Sequence, residues 1–265
     1  MLESALAKIR LAAGQPLLAV LLLLAGCGGA AGPVCGTEPC TRVLFLGNSY
    51  TYVNDLPSTF ARLVGSAGRP VEVAAVANGG ETLAQHAASS DSLNQIASRR
   101  WTYVILQEQS QTPATWAGRN SMYPAVRALA GKTESAGATP MLFMTWAHRD
   151  GMPESGLADY GSMQVQIDNA YLAIARELSV PVAPVGNTWS LVRQDHPEIA
   201  LWGDDGSHPS PAGTYLAACV FYASIFRQSP AGLAYYGGLG ADQARVLQDE
   251  AGRRVLDPEA QWGLR

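Results

Sequence analysis

The sequence predicts a three-layer α/β/α sandwich built on a five-stranded parallel sheet. Short apolar runs recur along the chain, and stretches with helical periodicity separate them. A composition of 48% hydrophobic and 15% charged residues is typical of a globular protein that buries a core. Because strands that alternate with helices are joined by right-handed crossovers, helices are expected on both faces of the sheet.

The first segment of the chain is predicted to be a signal peptide. Lys8 and Arg10 precede the apolar run Leu17–Ala25, which is too short to span a bilayer of roughly 30 Å as a helix. The run leads into Leu24-Ala25-Gly26-Cys27, which resembles the lipobox of bacterial lipoproteins. That resemblance implies that residues 1–26 are removed and that Cys27 is lipidated. An ordinary secretory signal is the alternative.

Lipidation at Cys27 would anchor the protein in the bacterial cell envelope. Gly28 carries no inner-membrane retention signal of the Asp type, so by the same resemblance the expected location is the outer membrane in a Gram-negative host. Residues 27–40, rich in Gly, Ala and Pro, are predicted to be the lipidated cysteine and a flexible linker. The α/β domain is assigned to residues 41–265.

Three cysteines remain after Cys27, and export places them in an oxidising compartment. Cys35 and Cys40 lie close together in the linker, where a disulfide and two free thiols are equally compatible with the sequence. Cys219 lies in an apolar stretch, Ala217–Phe221, so we expect it to pack in the core.

Five apolar runs are predicted to be the strands. Each is bounded by Gly, Pro or polar residues, as buried parallel strands are. They are Arg42–Leu46, Val71–Ala77, Tyr103–Leu106, Pro140–Thr145 and Val180–Val185.

Two helices have the clearest signals. The first carries an apolar stripe formed by Met163, Ile167, Ala170, Ile174 and Leu178, and ends before Val180. The second opens with Ser210 as N-cap and Pro211 at the first helical position, and continues to Ile225. Because this second helix is almost wholly apolar, we expect it to be buried.

Ligands of such sheets bind beyond the carboxyl ends of the strands, and the first strand ends in a tight turn that carries Ser49. A serine becomes a nucleophile when a base removes its proton. Of the four histidines, His208 lies in a compact polar segment, with Asp205 three residues upstream. At that spacing the carboxylate can orient the imidazole ring.

Gly47-Asn48-Ser49, Gly80 after the second strand and Asp205-x-x-His208 together resemble the sequence blocks of the SGNH, or GDSL-like, hydrolase superfamily. The resemblance covers roughly residues 41–228, with the blocks in the expected order. It implies a flavodoxin-like SGNH fold with Ser49 as nucleophile, His208 as general base and Asp205 as its orienting partner. The backbone N–H groups of Ser49 and Gly80 would be oxyanion donors.

The block after the third strand departs from the family pattern. Family members usually carry Gly-x-Asn-Asp there, and the Asn amide is an oxyanion donor, whereas this chain has no Asn between Leu106 and Pro113. Gln111 aligns with the family Asn, and Gln107 at the strand end could reach the same position. Either amide could donate the bond, and either could instead bond to the loop backbone.

Several aromatic and basic residues follow the strands without a distinctive pattern. Trp146, His148 and Arg149 could line the cleft, or form a solvated loop with Trp146 packed at its base. Trp116, Trp189 and Trp202 could stack on sugar rings, although single aromatic residues more often pack in the core or at its rim. His86 and His196 have no evident partner in the sequence.

Composition narrows the choice of partners. A formal charge of −4, with 18 basic residues scattered along the chain, does not favour nucleic acid. The Cys and His spacing fits no zinc motif, so we expect neither a metal nor a cofactor. The expected partners are a small-molecule or glycan ester and, through the lipid anchor alone, a membrane.

The resemblance implies an exported lipoprotein that hydrolyses carboxylic esters, with acetyl groups on glycans as one substrate class, through a Ser-His-Asp acyl-enzyme mechanism. An acyltransferase would need the same residues. A non-catalytic envelope lipoprotein that binds glycans or other ligands on the same fold is a further alternative. A nucleotide binder with Gly47–Thr51 as phosphate loop would leave Asp205 and His208 without a role.

Overall fold

The computed structural model describes residue 35 and residues 39–264. The predicted signal peptide, Cys27 and most of the predicted linker lie outside the described residues. Within the described part of the chain, no helix has the length and apolar character that crossing a membrane requires. From Thr41 onward the chain forms regular secondary structure around one core.

The sheet has five parallel strands in the order β2-β1-β3-β4-β5. The strands are β1 (Thr41–Gly47), β2 (Val71–Ala77), β3 (Tyr103–Leu106), β4 (Thr139–Phe143) and β5 (Val182–Ala183). This is the strand order of flavodoxin-like sheets, in which the chain reverses its direction of travel between β1 and β3. The predicted fold class is confirmed, and the carboxyl ends of β1 and β3 lie side by side.

The last two strands are shorter than the sequence predicts. β4 ends at Phe143 rather than at Thr145, whose carbonyl accepts a hydrogen bond from the Gln164 side chain at 3.2 Å. β5 contains two residues because Pro181 and Pro184 flank it, and proline has no N–H to donate to a neighbouring strand. From Val185 the chain continues as a helix.

Helices cover both faces of the sheet. They are α1 (Ser49–Tyr52), α2 (Leu56–Ser66), α3 (Leu83–Ala88), α4 (Ser90–Ala97), α5 (Trp116–Ser135), α6 (Tyr160–Leu178), α7 (Val185–Asp195), α8 (Pro211–Phe226) and α9 (Ala241–Leu256). In one layer α8 contacts α2, α7 and α9, and in the other α5 contacts α3, α4 and α6. Short 3₁₀ segments cover Thr112–Ala114, Pro153–Ser155 and Glu259–Trp262.

Helix α8 anchors the core below the carboxyl end of β1. The Ser210 Oγ accepts a hydrogen bond from Gly213 N at 3.1 Å, as the predicted N-cap requires, and nearly every following residue is buried. Phe221 packs edge-on against Phe45 of β1, with 5.4 Å between ring centroids. Cys219 is fully buried in this helix, as predicted. A buried aromatic side chain contributes roughly 1.5–3 kcal/mol, so these contacts fix the strand that leads to Ser49.

The structure joins Cys35 and Cys40 in a disulfide, with their Cα atoms 5.6 Å apart. Of the two arrangements that the sequence leaves open, the structure therefore contains the bonded one. Thr41, the next residue, pairs with Val71 of β2 at the start of the sheet. The disulfide loop thus lies directly before the first strand.

Candidate active site

The turn that carries Ser49 joins β1 to α1. Asn48 is the N-cap of α1, and its Oδ1 accepts a hydrogen bond from Tyr50 N at 3.1 Å. Gly47 precedes it, and a Cβ at this position would collide with Thr51 Oγ1 and Gln107 Oε1. A glycine is therefore required at position 47, because the backbone passes too close to Thr51 and Gln107 for a Cβ to fit. Ser49 follows at the rim of the sheet.

Ser49, His208 and Asp205 form one chain of hydrogen bonds. The Ser49 Oγ lies 2.9 Å from His208 Nε2, and His208 Nδ1 lies 2.5 Å from Asp205 Oδ2. The hydrogen bond from His208, followed by bonds from the backbone N–H groups of Ser207 and His208, lowers the pKa of Asp205 to about 2. Because an ionised carboxylate can only accept, Nδ1 carries the ring proton and Nε2 is free to accept from the Ser49 hydroxyl.

The turn Gly203–His208 is held by contacts on both sides. Gly206 has φ +68°, which favours glycine, and its carbonyl accepts from Arg149 N at 2.7 Å. On the cleft side, the Ser207 Oγ lies 2.8 Å from the Tyr50 hydroxyl. Tyr50 follows Ser49 in sequence, so it links the Ser49 turn to the His208 turn.

Stacked aromatic rings support this link from below. Tyr50 stacks on Trp146 with 4.4 Å between ring centroids, and Trp146 stacks on Trp189 at 4.1 Å. Trp146 and Trp189 are fully buried, so Trp146 packs at the base of its loop and Trp189 is a core residue. Trp202 is half-buried and donates from Nε1 to the Ala147 carbonyl, whereas Trp116 is 74% exposed.

Gly80 lies in the segment 78–82, which we call the Gly80 loop. Its φ of +69° is unfavourable for residues with a Cβ. The loop is tied to the Ser49 turn because Asn48 Nδ2 donates to the Glu81 carbonyl at 2.9 Å. Gly80 and Gly79 both line the cleft beside Ser49.

The prediction that Gln107 could be an oxyanion donor is wrong. Its side chain is fully buried, and its Nε2 donates to Asn48 Oδ1 at 2.9 Å and to the Glu108 carbonyl at 2.6 Å. Its Oε1 accepts from Asn48 N and from Thr51 Oγ1. Both amide hydrogens are therefore used below the turn, and the side chain supports the Ser49 turn instead of facing the cleft.

Gln111 lies at the cleft surface, in the segment 109–111 that we call the Gln111 loop. Its backbone N–H donates to Gln109 Oε1 at 2.8 Å, which folds the loop back on itself. The Gln111 side chain is exposed and lines the cleft together with Gln109 and Ser110. Of the two glutamines considered from the sequence, Gln111 is the one that faces the cleft.

Two histidines outside the triad contact the site. His148 lines the cleft, with its Nε2 3.2 Å from Ser110 Oγ, and burial lowers its pKa so that the neutral ring is favoured. His86 is fully buried, and its Nε2 lies 2.8 Å from the Gly47 carbonyl. Because a carbonyl only accepts, His86 Nε2 carries a proton and donates to the strand end that leads to Ser49.

Sequence reasoning assigned no role to several residues that shape the site. The signal that could have found them is their position, because Asn48 and Tyr50 flank Ser49 and Ser207 precedes His208. His86 gave no signal, because its partner Gly47 lies 39 residues away in sequence. His196, away from the cleft, is within 3.6 Å of Glu198 and 3.5 Å of Glu250.

The cleft beside Ser49 has a volume of about 400 Å³. Its lining residues are Asn48, Ser49, Tyr50, Tyr52, Gly79, Gly80, Gln109, Ser110, Gln111, His148, Ser207 and His208. No Leu, Ile, Val, Met or Phe is among them. In the described part of the chain, no cluster of three or more His, Cys, Asp or Glu side chains is arranged to hold a metal ion.

Comparison with known proteins gives matches among solved structures. A protein from Slackia heliotrinireducens that is assigned to the SGNH hydrolases is 30% identical, with a TM-score of 0.60, over 70% of this chain and 99% of that chain. A DUF4886 family protein from Bacteroides uniformis is 18% identical, with a TM-score of 0.69, over 83% of this chain and 96% of that chain. No protein-family model and no curated protein matches the chain.

One further solved neighbour has a described substrate. A variant of an acetyl-xylooligosaccharide esterase from Geobacillus stearmophilus is 14% identical, with a TM-score of 0.55, over 73% of this chain and 95% of that chain. At this identity, as for the Bacteroides protein, the likeness is one of fold.

Proposed function

Because the chain belongs to the SGNH, or GDSL-like, hydrolase superfamily, we propose that it is a serine ester hydrolase that forms an acyl-enzyme on Ser49. The observation that carries the proposal is the continuous chain of hydrogen bonds from Ser49 Oγ through His208 to Asp205, open to the cleft. A hydroxyl, a ring and a carboxylate in this order are the parts of a catalytic triad.

In the first step, His208 Nε2 takes the Ser49 proton as Oγ attacks the ester carbonyl. The imidazolium that forms is stabilised by Asp205, which stays ionised because its pKa is about 2. His208 then gives the proton to the leaving alcohol, and the acyl group remains on Ser49. A water molecule, deprotonated by His208, releases the acid and restores the serine.

The negative charge of the tetrahedral intermediate needs hydrogen-bond donors at the cleft surface. The backbone N–H groups of Ser49 and Gly80 are proposed as two of them, and the Gln111 side chain as the third. Gln111 supplies an amide in place of the Asn that family members usually carry. One such donor is worth roughly 3 kcal/mol in the transition state.

The lining of the cleft supports a short acyl group and a polyhydroxylated alcohol as substrate. Amide, hydroxyl and imidazole groups of the lining residues can bond to sugar hydroxyls, and no aliphatic side chain or Phe is among these residues to hold a long acyl chain. The Geobacillus neighbour, described as an acetyl-xylooligosaccharide esterase, points to the same class. We therefore propose acetyl groups on glycans as the substrate.

The proposed location is the bacterial cell envelope. Cleavage before Cys27 and lipidation of its sulfur would leave residues 28–40 as a tether between the membrane and the domain. A disulfide between Cys35 and Cys40 suits an oxidising compartment outside the cytoplasm. In a Gram-negative host the expected membrane is the outer one.

The test is hydrolysis of nitrophenyl esters from acetate to octanoate, and of acetylated xylo-oligosaccharides, by the chain from residue 28 onward. This chain contains the whole core, which begins at Val43. Ser49→Ala should abolish turnover, and Asp205→Asn should lower kcat by about 10⁴-fold because the wrong tautomer of His208 is favoured. Ser135→Ala, at an exposed site in α5, is the control.

The proposal fails if Ser49→Ala keeps the wild-type rate, or if no ester is cleaved and a fluorophosphonate probe leaves Ser49 unlabelled. Faster turnover of octanoate than of acetate would contradict the proposed substrate class. Transfer of the acetyl group to an added sugar, without release of acetate, would identify an acyltransferase.

A further inference from the structure

Glu108 is a buried carboxyl group that lies between the two loops beside Ser49. It follows β3 and is 1% exposed. Its Oε1 accepts from Leu83 N at 3.1 Å and from Gln109 N at 2.7 Å. Leu83 comes directly after the Gly80 loop, and Gln109 begins the Gln111 loop. One oxygen atom is therefore bonded to both loops.

The surroundings of Glu108 make this carboxyl expensive to keep ionised. Burial raises its pKa to about 7, although the two backbone N–H groups act in the opposite direction. Its Oε2 is buried and has no hydrogen-bond partner among the described residues. The titratable side chain in contact with this residue is Tyr171 of α6, whose hydroxyl accepts from Glu108 N at 3.2 Å.

A contribution to protein stability does not explain why a buried carboxyl group with an unpartnered oxygen is present at this position. An ionised carboxylate with one unpartnered buried oxygen lowers the free energy of unfolding, and a neutral acceptor could satisfy the same two N–H groups at a smaller cost. Above a pH of about 7, where this group is ionised, the carboxylate adds strength, because charge-assisted hydrogen bonds are roughly twice as strong as neutral ones. The benefit is therefore greatest where the two loops must keep a fixed separation.

We propose that Glu108 is a positioning residue that holds the Gly80 loop and the Gln111 loop at a fixed distance across the oxyanion hole. The inference rests on the proposed function, in which Gly80 and Gln111 supply oxyanion donors. Such donors act when they lie within about 3 Å of the oxygen that becomes negative in the transition state. A loss of position should therefore lower kcat and leave KM nearly unchanged.

Two independent variants weaken or remove the hydrogen bonds that join Glu108 to the loops. Glu108→Gln keeps an acceptor oxygen but removes its charge. Leu83→Pro removes the N–H that Glu108 accepts, at the first residue of α3, where proline is well tolerated. The preceding Thr82 has φ −97° and ψ 160°, which suits a residue before proline.

Each variant has a matched control. Leu83→Ala removes most of the same buried side chain but keeps the N–H, so the difference between Leu83→Pro and Leu83→Ala isolates the hydrogen bond. Glu250→Gln neutralises another buried glutamate, on α9, whose partners are Arg253 and His196 rather than a cleft loop. The readouts are kcat and KM for acetate ester hydrolysis, and the inhibition constant of a boronic acid that forms a tetrahedral adduct on Ser49.

We expect Glu108→Gln and Leu83→Pro to lower kcat about tenfold with KM within about twofold, and to weaken boronic acid inhibition about tenfold. Leu83→Ala and Glu250→Gln should stay within about twofold of the wild type on all three readouts. Wild-type kcat in Glu108→Gln, or equal kcat in Leu83→Pro and Leu83→Ala, would overturn the inference. If Glu108→Gln fails to fold, the comparison of Leu83→Pro with Leu83→Ala is sufficient to test the inference.

The experimental outcomes distinguish a failure of this inference from a failure of the proposed function. If the wild type is an active esterase and the variants match their controls, Glu108 has no positioning role and the esterase proposal stands. If the wild type cleaves no ester and binds no boronic acid, both proposals fall together.

Discussion

Gln107 and Asn48 form a reciprocal pair of hydrogen bonds between the end of β3 and the turn that carries Ser49. Asn48 N donates to Gln107 Oε1 at 3.0 Å, and Gln107 Nε2 donates to Asn48 Oδ1 at 2.9 Å. The same Asn48 oxygen caps α1. A buried carboxamide therefore supports the turn that carries Ser49, in a place where a donor and an acceptor are both needed.

We expect Gln107→Glu to lower the free energy of unfolding by about 2–3 kcal/mol, because a carboxylate oxygen would replace the donor that faces Asn48 Oδ1. Turnover should fall as well, since the Ser49 turn loses its support. Urea unfolding and ester hydrolysis measure the two effects. Gln194→Glu, an exposed substitution of the same kind on α7, should change neither, and a Gln107→Glu protein as stable as this control would contradict the prediction.

Substitution by alanine should have opposite effects on protein stability at two of the glycines. A Cβ at Gly47 would collide with Thr51 Oγ1 and Gln107 Oε1, so Gly47→Ala should cost about 1–3 kcal/mol and disturb the nucleophile. At Gly131, inside α5, no atom lies within 4 Å of an added Cβ, and Gly131→Ala should stabilise the protein by about 0.5–1 kcal/mol. Thermal unfolding of both variants checks the signs, and equal shifts would refute the argument.

Gln111→Ala should lower kcat about 100-fold with little change in KM, because the amide would act on the oxyanion that exists in the transition state. Steady-state hydrolysis of an acetate ester provides the measurement. Gln194→Ala is the control for an exposed glutamine that does not line the cleft. A decrease of less than about threefold would mean that this amide is not the third oxyanion donor.

The ionisation of Glu108 should make stability depend on pH. Its pKa is raised from 4.5 to about 7 in the folded protein, so the folded state holds this proton more tightly than the unfolded chain does. The resulting contribution to stability is complete below pH 4.5 and is lost as pH rises to about 7. From the size of the shift, the loss is about 3 kcal/mol.

The measurement is urea unfolding of the wild type and of Glu108→Gln at several pH values across this range. The difference between their unfolding free energies should move against the wild type as pH rises, and should be constant above about pH 7. Curves that run parallel at all pH values would show that this carboxyl group does not titrate in the predicted range.

Cys27→Ser should prevent lipidation and leave the precursor unprocessed by lipoprotein signal peptidase. Expressed in a bacterium fed a labelled fatty acid, the wild type should carry the label and sediment with membranes, whereas the variant should not carry it. The Cys219→Ser variant, altered at a buried core position, should remain labelled. An unlabelled wild type would favour an ordinary secretory signal.

The elements of the fold and the local part of the site could be predicted from the amino-acid sequence. Apolar runs gave all five strands, and Ser210-Pro211 gave the start of α8, because these signals depend on near neighbours in the chain. Asp205 and His208 were recognisable as a pair because they are only three positions apart in the chain. For Ser49, the position after the first strand and the resemblance to SGNH hydrolases pointed to the same residue.

Tertiary structure decided which side chains face the cleft. Gln107 and Gln111 are the same residue type four positions apart, yet the first is buried against Asn48 and the second faces solvent. Glu108 and His86 gave no signal, since their partners Leu83 and Gly47 come from other parts of the chain. The physical reason is that a buried polar group is positioned by the hydrogen-bond partners that the packed fold brings to it, and those partners lie far away in sequence.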